Sequence, residues 1–412
     1  MKKYFIILFF VLVPYYFVNS ANGGNSCVEC HMNLEKDLSE PVRQWSRSVH
    51  KEIGITCSDC HGGNPAIKDE RAMEPKEGFK GSPSVKEIPA FCARCHSDIK
   101  MMRQFNIRTD QFAEYKTSVH GRRLLEKGDE KVATCVSCHG SHEIRKKNDP
   151  ASTVYHTNVP ETCGKCHSDP EYMKEYKIPT NQLEEYKESY HGKILYGKIE
   201  GKNPSLAPNC ADCHGIHGAT PPGGGEVVNV CGNCHFVVVK YFREGKHFEA
   251  LNANGVPRCI DCHGNHKILY PEAELFGGGE KSLCAQCHEP GTRPMDVASQ
   301  IGEMLQAIEN KTRAVEKAIE EVERTGKNID DIMLEFSRVK NNVVKSKSVS
   351  HTVSIEAIKD LVDGAEAGIE KINKKIEEIR AEVEQRKVFV FIALLLIFTI
   401  VVLLYLRFLK SA

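Results

Sequence analysis

The chain has 412 residues, a length that ordinarily folds as two to four domains. Lys+Arg and Asp+Glu both number 55, so the charge carries neither the footprint of a nucleic-acid binder nor that of an acidic disordered tail. The 18 cysteines exclude an ordinary cytosolic enzyme, because all of them fall between Cys27 and Cys287.

In chain order, the first feature is a basic start (Lys2, Lys3) and an apolar run from Tyr4 to Val18, followed by the small residues Ser20 and Ala21. That pattern predicts a secretory signal peptide over residues 1–20, cleaved after Ser20. An uncleaved anchor is the weaker alternative, since Pro14 interrupts a run already short for a membrane span.

Residues 21–292 hold every cysteine, in nine C-x-x-C pairs that are each followed at once by histidine. The first four are Cys27, Cys30 and His31; Cys57, Cys60 and His61; Cys92, Cys95 and His96; and Cys135, Cys138 and His139. Next come Cys163, Cys166 and His167; Cys210, Cys213 and His214; and Cys231, Cys234 and His235. The last two are Cys259, Cys262 and His263, and Cys284, Cys287 and His288. Two thiols three positions apart match the two vinyl groups on one edge of a haem, and the next imidazole then lies beneath the iron as proximal ligand. Zinc ribbons need pairs of pairs, which an odd total of nine does not supply. A disulfide scaffold has no use for the histidines. The cofactor expected is therefore c-type haem, nine copies, each with its iron.

From about Ser26 to Pro290 the sequence resembles the multihaem c-type cytochromes, especially the paired-CxxCH group related to cytochromes c3 and c7. The motifs are highly specific for the cofactor and weakly specific for a partner. The predicted fold class is mainly α with little regular structure in the haem region, where porphyrins supply most of the apolar core.

The motifs come in two kinds. Those opening at Cys57, Cys135, Cys210 and Cys259 continue CHG, and three of these read CHGxH, placing His142, His217 and His266. Upstream of each CHG motif lies another histidine: His50, His120, His191 and His247. One unit, His then CxxCHG then a plain CxxCH, thus occurs four times after a lone first motif. Electron-carrying haems usually take a second axial ligand, so these seven histidines are candidate distal ligands, with His156 as a further one outside the repeat. A histidine in CHGxH is too close to its own motif to reach the far face of the same haem, so it should serve a neighbour. Asn64 stands where the first CHG unit would have its extra histidine. Eight local candidates face nine irons. The ninth is His351 if the C-terminal helices fold back, or a methionine such as Met32, Met73 or Met102, or an open position.

Residues 293–387 contain no cysteine. Ile355, Ile358, Val362, Ala365, Ile369, Ile372, Ile376, Ile379 and Val383 recur by threes and fours, and Val297, Ile301, Met304, Ile308, Val315, Ile319 and Val322 form a similar stripe. Such stripes predict a helical hairpin or three-helix coiled-coil stalk, with a break at Gly326 and Asn328. The same stripes also suit a homodimer seam. Val388 to Leu406 is uncharged and long enough to cross a hydrocarbon core, giving a transmembrane helix over 388–406 and a cytoplasmic tail over 407–412.

Two functional readings follow. In the first, the protein relays electrons between a quinol-oxidising membrane partner and a periplasmic or extracellular redox partner, anchored in the cytoplasmic membrane with its haems on the outer face. In the second, it is a multihaem oxidoreductase acting on hydroxylamine, nitrite or a sulfur oxyanion at one five-coordinate haem. The nitrite and tetrathionate reductase families typically attach that haem through CxxCK, which does not occur here. Hydroxylamine oxidoreductases instead crosslink a tyrosine to a haem, and none of the 13 tyrosines is marked for that role by sequence. No residue is singled out as catalytic and no nucleic-acid partner is expected.

Overall fold

The structure, a computed structural model, describes residues 25–223, 226–277, 279 and 281–411; the expected signal peptide at residues 1–20 lies outside them. The described residues are helical and irregular, with no strand among them. They form two units. One comprises the described residues up to Asp169 together with Asn209–Thr220, and the other comprises Pro170–Pro208 and the chain from Pro221 onward.

The two kinds of motif are built differently, and local sequence says why. Each CHG motif is a single helical turn: Cys57–His61, Cys135–His139, Cys210–His214 and Cys259–His263. So short a helix depends on its ends. The third residue of the turn is Asp59, Ser137, Asp212 or Asp261, and its side chain accepts from the backbone N–H of the residue preceding the motif at 2.7, 3.0, 2.7 and 2.7 Å. The closing glycine has positive φ in all four, and a Cβ at Gly62 would collide with the Gly78 carbonyl oxygen. Plain motifs need neither device where they end a longer helix. Ile88–His96 and Val159–His167 each begin with a buried proline, Pro89 or Pro160, in the first turn.

In the second unit, three helices follow the last motif: Arg293–Glu323, Asp330–Val349 and Ile355–Ser411. Gly326, at φ +71°, ends the first connection, and Asn328 Oδ1 accepts from the Asp330 N–H at 2.9 Å to start the second helix. The buried stripe Ile301, Leu305, Ile308, Val315, Ile319 and Val322 faces Ile332, Phe336, Val339 and Val343 of the second helix and Ile358, Val362, Ala365, Ile369, Ile372 and Ile376 of the third. Each stripe advances by threes and fours, as expected for side chains meshing between nearly parallel axes. The seam is thus filled within one chain. Lys311–Glu366 (2.6 Å), Arg380–Glu321 (2.9 Å) and Lys375–Asp331 (2.9 Å) flank it, but exposed pairs of this kind add little. Replacing Ile372 by Ala should therefore lower stability by about 2–5 kcal/mol, read from the denaturant midpoint of the stalk helices; a change below about 0.5 kcal/mol would contradict the packing.

Ile376 is the last buried residue of the third helix, whose contacts continue through Ile379, Arg380 and Glu382, and Val388–Leu406 is wholly exposed and uncharged. It is the one helix among the described residues long and apolar enough to cross a membrane.

Candidate functional site

Seven of the motif histidines face a second imidazole within their own unit, at nearly one separation. Ring centroids are 6.2 Å apart in His50–His96, His61–His142 and His120–His167, and 6.3 Å in His139–His217. They are 6.1 Å apart in His191–His235, His247–His288 and His263–His351. These rings are too far apart to touch and too regular to be incidental. A metal–imidazole bond of about 2 Å on each side, plus about 1 Å from each nitrogen to its centroid, places two trans imidazoles about 6 Å apart.

The pairing follows a rule. Each histidine upstream of a CHG motif faces the next plain motif, and His142 and His217 each face the preceding CHG motif. His351 faces the last CHG motif, a place that a further CHGxH would fill. His266 occupies the same place in the repeat as His142 and His217. Interplanar angles in the CHG pairs are 28°, 14° and 29°, and in the plain-motif pairs they spread over 58°, 56°, 34° and 22°.

Side chains that sequence reasoning passed over hold these rings. Ser48, Ser118 and Ser189 are fully buried N-caps two residues before His50, His120 and His191. Each hydroxyl accepts from a backbone N–H three residues on (3.2, 2.8 and 2.9 Å) and donates to a carbonyl three residues back (2.7, 2.6 and 2.6 Å). An aromatic donor ties the same segment to the next motif: Trp45 Nε1–H to Ile55, Tyr115 O–H to Ala133 and Tyr186 O–H to Pro208, at 2.9, 2.8 and 2.6 Å. The signal was present in the near-identical strings EYKTSVHG (114–121) and EYKESYHG (185–192). Ser118→Ala should cost about 1 kcal/mol or more, because it removes a cap and leaves buried backbone groups unpaired. Thermal unfolding of the loaded protein reads this directly, and an unchanged midpoint would contradict it.

Ring nitrogens are sorted by the backbone. Nδ1–H of His31, His61, His214 and His351 donates to the carbonyl of Leu38, Gly81, Thr220 and Ser348 at 3.3, 3.0, 3.2 and 3.1 Å, leaving Nε2 for a metal. Burial holds His139 down to about 4 and pushes His50, His120, His263 and His351 below the ordinary imidazole value, favouring the neutral, ligating form. His156 Nδ1 meets the Asn209 side chain at 3.1 Å. Among the described residues no imidazole stands opposite His31.

None of the 18 motif cysteines is tied up in a disulfide, so every thiol is available for a thioether. The first cysteine of each motif, from Cys27 to Cys284, is half-buried. The second cysteines divide: Cys60, Cys95, Cys138, Cys166 and Cys262 are half-buried, whereas Cys30, Cys213, Cys234 and Cys287 are exposed. The equal status that the motif pattern gives all nine second thiols is thus not matched by equal cover from the polypeptide. At the four exposed sulfurs a porphyrin edge would supply the remaining cover.

Residues 49–176 match the family model for cytochrome c3. The chain is a multihaem c-type cytochrome. It is similar to the C-type polyheme cytochrome OmcC of Geobacter sulfurreducens, with 30% identity over 79 residues, or 19% of this chain and 10% of that protein. To OmcB of the same organism it is 26% identical over 124 residues, covering 29% of this chain and 14% of that one. The cytochrome thus spans about a tenth to a seventh of the length of these curated relatives. No solved structure matches it.

The residues present fit c-type haem. In each motif the two thiols lie about one helical turn apart beside an imidazole, and seven of those imidazoles face another at trans-ligand separation. The motifs also follow one another in space. Helix Ser26–His31 packs on Cys57–His61, Ile88–His96 on Cys135–His139, Val159–His167 on Cys210–His214, and Glu226–Gly232 on Cys259–His263. In these pairs Cys92 lies beside Cys135, Cys163 beside Cys210 and Cys231 beside Cys259, and Cys27 lies within electrostatic reach of Cys57. The second cysteines link the pairs: Cys60 reaches Cys95, Cys138 reaches both Cys163 and Cys166, and Cys262 reaches both Cys284 and Cys287. Haem edges attached at these sulfurs would follow chain order from the first motif to the sixth in one unit and from the seventh to the ninth in the other.

Proposed function

We propose that this cytochrome is a membrane-anchored electron relay with nine haems, eight of them held between two histidines. The observation that carries the reading is the recurrent imidazole separation of 6.1–6.3 Å. Proximal ligands are the nine motif histidines, and the facing histidines, His351 included, are the distal ones. When bound, haem iron accepts and returns one electron. The chain's part is to saturate the iron so that nothing else binds, to fix successive haem edges next to one another, and to bury the rings in short capped turns.

In this reading residues 21–292 form the haem region, 293–387 the stalk, 388–406 the membrane span and 407–412 an inner tail. Covalent haem attachment outside the cytoplasm places the haem region on the outer face. Electrons then pass between a quinol-linked membrane partner and an acceptor outside. Membranes from cells making the full chain should show haem reduction on addition of a quinol and reoxidation by an impermeant ferric chelate. Haem in the soluble fraction, or haem that the chelate cannot reach, would contradict the anchor and its orientation.

One observation favours a second reading at a single motif. His31 faces no imidazole among the described residues, and Cys30 and Met32 beside it are exposed. The haem on Cys27 and Cys30 then has an open position, where an exogenous ligand or a nitrogen or sulfur oxyanion would bind. Carbon monoxide binding by one reduced haem, lost in Cys27→Ala/Cys30→Ala, is the expected result; no binding by any haem would remove the enzyme reading.

A further inference from the structure

Two of the proposed distal histidines have a carboxylate at the ring nitrogen that faces away from the iron. Glu114 Oε2 lies 3.5 Å from His217 Nδ1, and Glu185 Oε2 lies 3.8 Å from His266 Nδ1. Both glutamates hold the same place in the repeat, four residues before the buried serine cap. The first unit has Gln44 at that place and the fourth has Tyr241. The ring that serves the last CHG motif has a neutral partner instead, since His351 Nδ1 meets the Ser348 carbonyl at 3.1 Å.

We propose that Glu114 and Glu185 are potential-setting residues, each lowering the reduction potential of the haem whose iron its histidine ligates. The inference rests on the reading that His217 and His266 are axial ligands. Reduction adds one electron to ferric iron and removes one positive charge from it. A carboxylate next to the ligand opposes that change by direct Coulomb repulsion, and by drawing on the Nδ1 proton it makes the imidazole a stronger donor to the ferric state. Both effects have the same sign.

The two sites differ in strength. The other oxygen of Glu114 is bound by Arg108, which also pairs with Asp110, so its charge is partly neutralised. Glu185 receives a neutral donor, Asn181 Nδ2, at 2.7 Å, and the nearby Lys267 is engaged by Glu188. Glu185 is the stronger depressor. The relay therefore contains haems of unequal potential by construction, with low points in the second and third units.

The test is an optical redox titration of the full-length, detergent-solubilised cytochrome. Glu185→Gln is expected to move one component upward by about tenfold in its reduction equilibrium, or about 59 mV for one electron, and Glu114→Gln to move one component by less. Gln44→Glu should shift one component downward, which decides the matter if either loss variant fails to fold. Curves that overlay the parent in all three variants, with the haems still low-spin, would overturn the inference. Failure of the ligand reading looks different: His217→Ala would then create no high-spin haem that the parent lacks.

Discussion

His351→Ala is expected to turn one low-spin haem of the array high-spin and to let that haem bind carbon monoxide once reduced. His351 sits in the short turn Ser350–Thr352 that joins the second and third stalk helices, 88 positions beyond the motif histidine it faces, His263. The surroundings hold it there. Its Nδ1–H is taken by Ser348, and its backbone carbonyl packs so closely on Gly245 that a Cβ at that glycine would lie 2.7 Å away. Gly245 is the N-cap before His247, where the other units have serine. In those units the helix after the serine starts with a bond to the segment that follows a CHGxH histidine: Val49 N–H to Ile144, Val119 N–H to Ala219 and Tyr190 N–H to Ile268, at 2.8, 3.1 and 2.7 Å. The stalk turn takes the place of that segment in the fourth unit. Spin state, carbon monoxide binding and protease sensitivity near residue 350 should all change together; an unchanged spin state would remove His351 from the ligand set.

Haem-free chain, made without the attachment machinery, should lose the motif helices and keep the stalk. The stalk buries a continuous apolar seam from Ile301 to Ile376, whereas the principal buried cluster of the first unit consists of Tyr115, Leu124 and Val132. Helices of four to ten residues do not persist alone, since even good helix formers need about 12–15. Porphyrin faces are the missing core. Hydrogen exchange should find residues 26–290 unprotected and the stalk seam protected. Protected motif turns without haem would show that the polypeptide alone suffices.

Covalent chemistry made the site legible. A CxxCH turn keeps its meaning out of context, and the upstream histidines recur at one place in each unit, so motif and candidate ligand residues can be read along the chain. Which ring faces which is a long-range fact, and nothing near His142 in sequence points to His61. The same holds for the thiols: Cys166 and Cys213 are alike as motif positions, and only packing leaves one half-buried and the other exposed. Packing adds a second phase. Ligands run from an upstream histidine to the plain motif of its repeat, but motif helices pair plain with the following CHG, so neighbouring repeats interlock within each unit. The buried serines were missed because a serine before a short helix is common, and only its exact recurrence marks it. In the stalk, the first and third stripes are plain heptads, while Ile332, Phe336, Val339 and Val343 of the second helix are interleaved with Lys, Arg and Asn and carry a weaker signal.

Low-temperature EPR on the oxidised, full-length cytochrome, with spins counted against total haem, tests the central claim most directly. Paired imidazoles predict that at most one of the nine haems is high-spin, and that it is the one on Cys27 and Cys30. Two or more high-spin irons in the intact protein would contradict the bis-histidine relay.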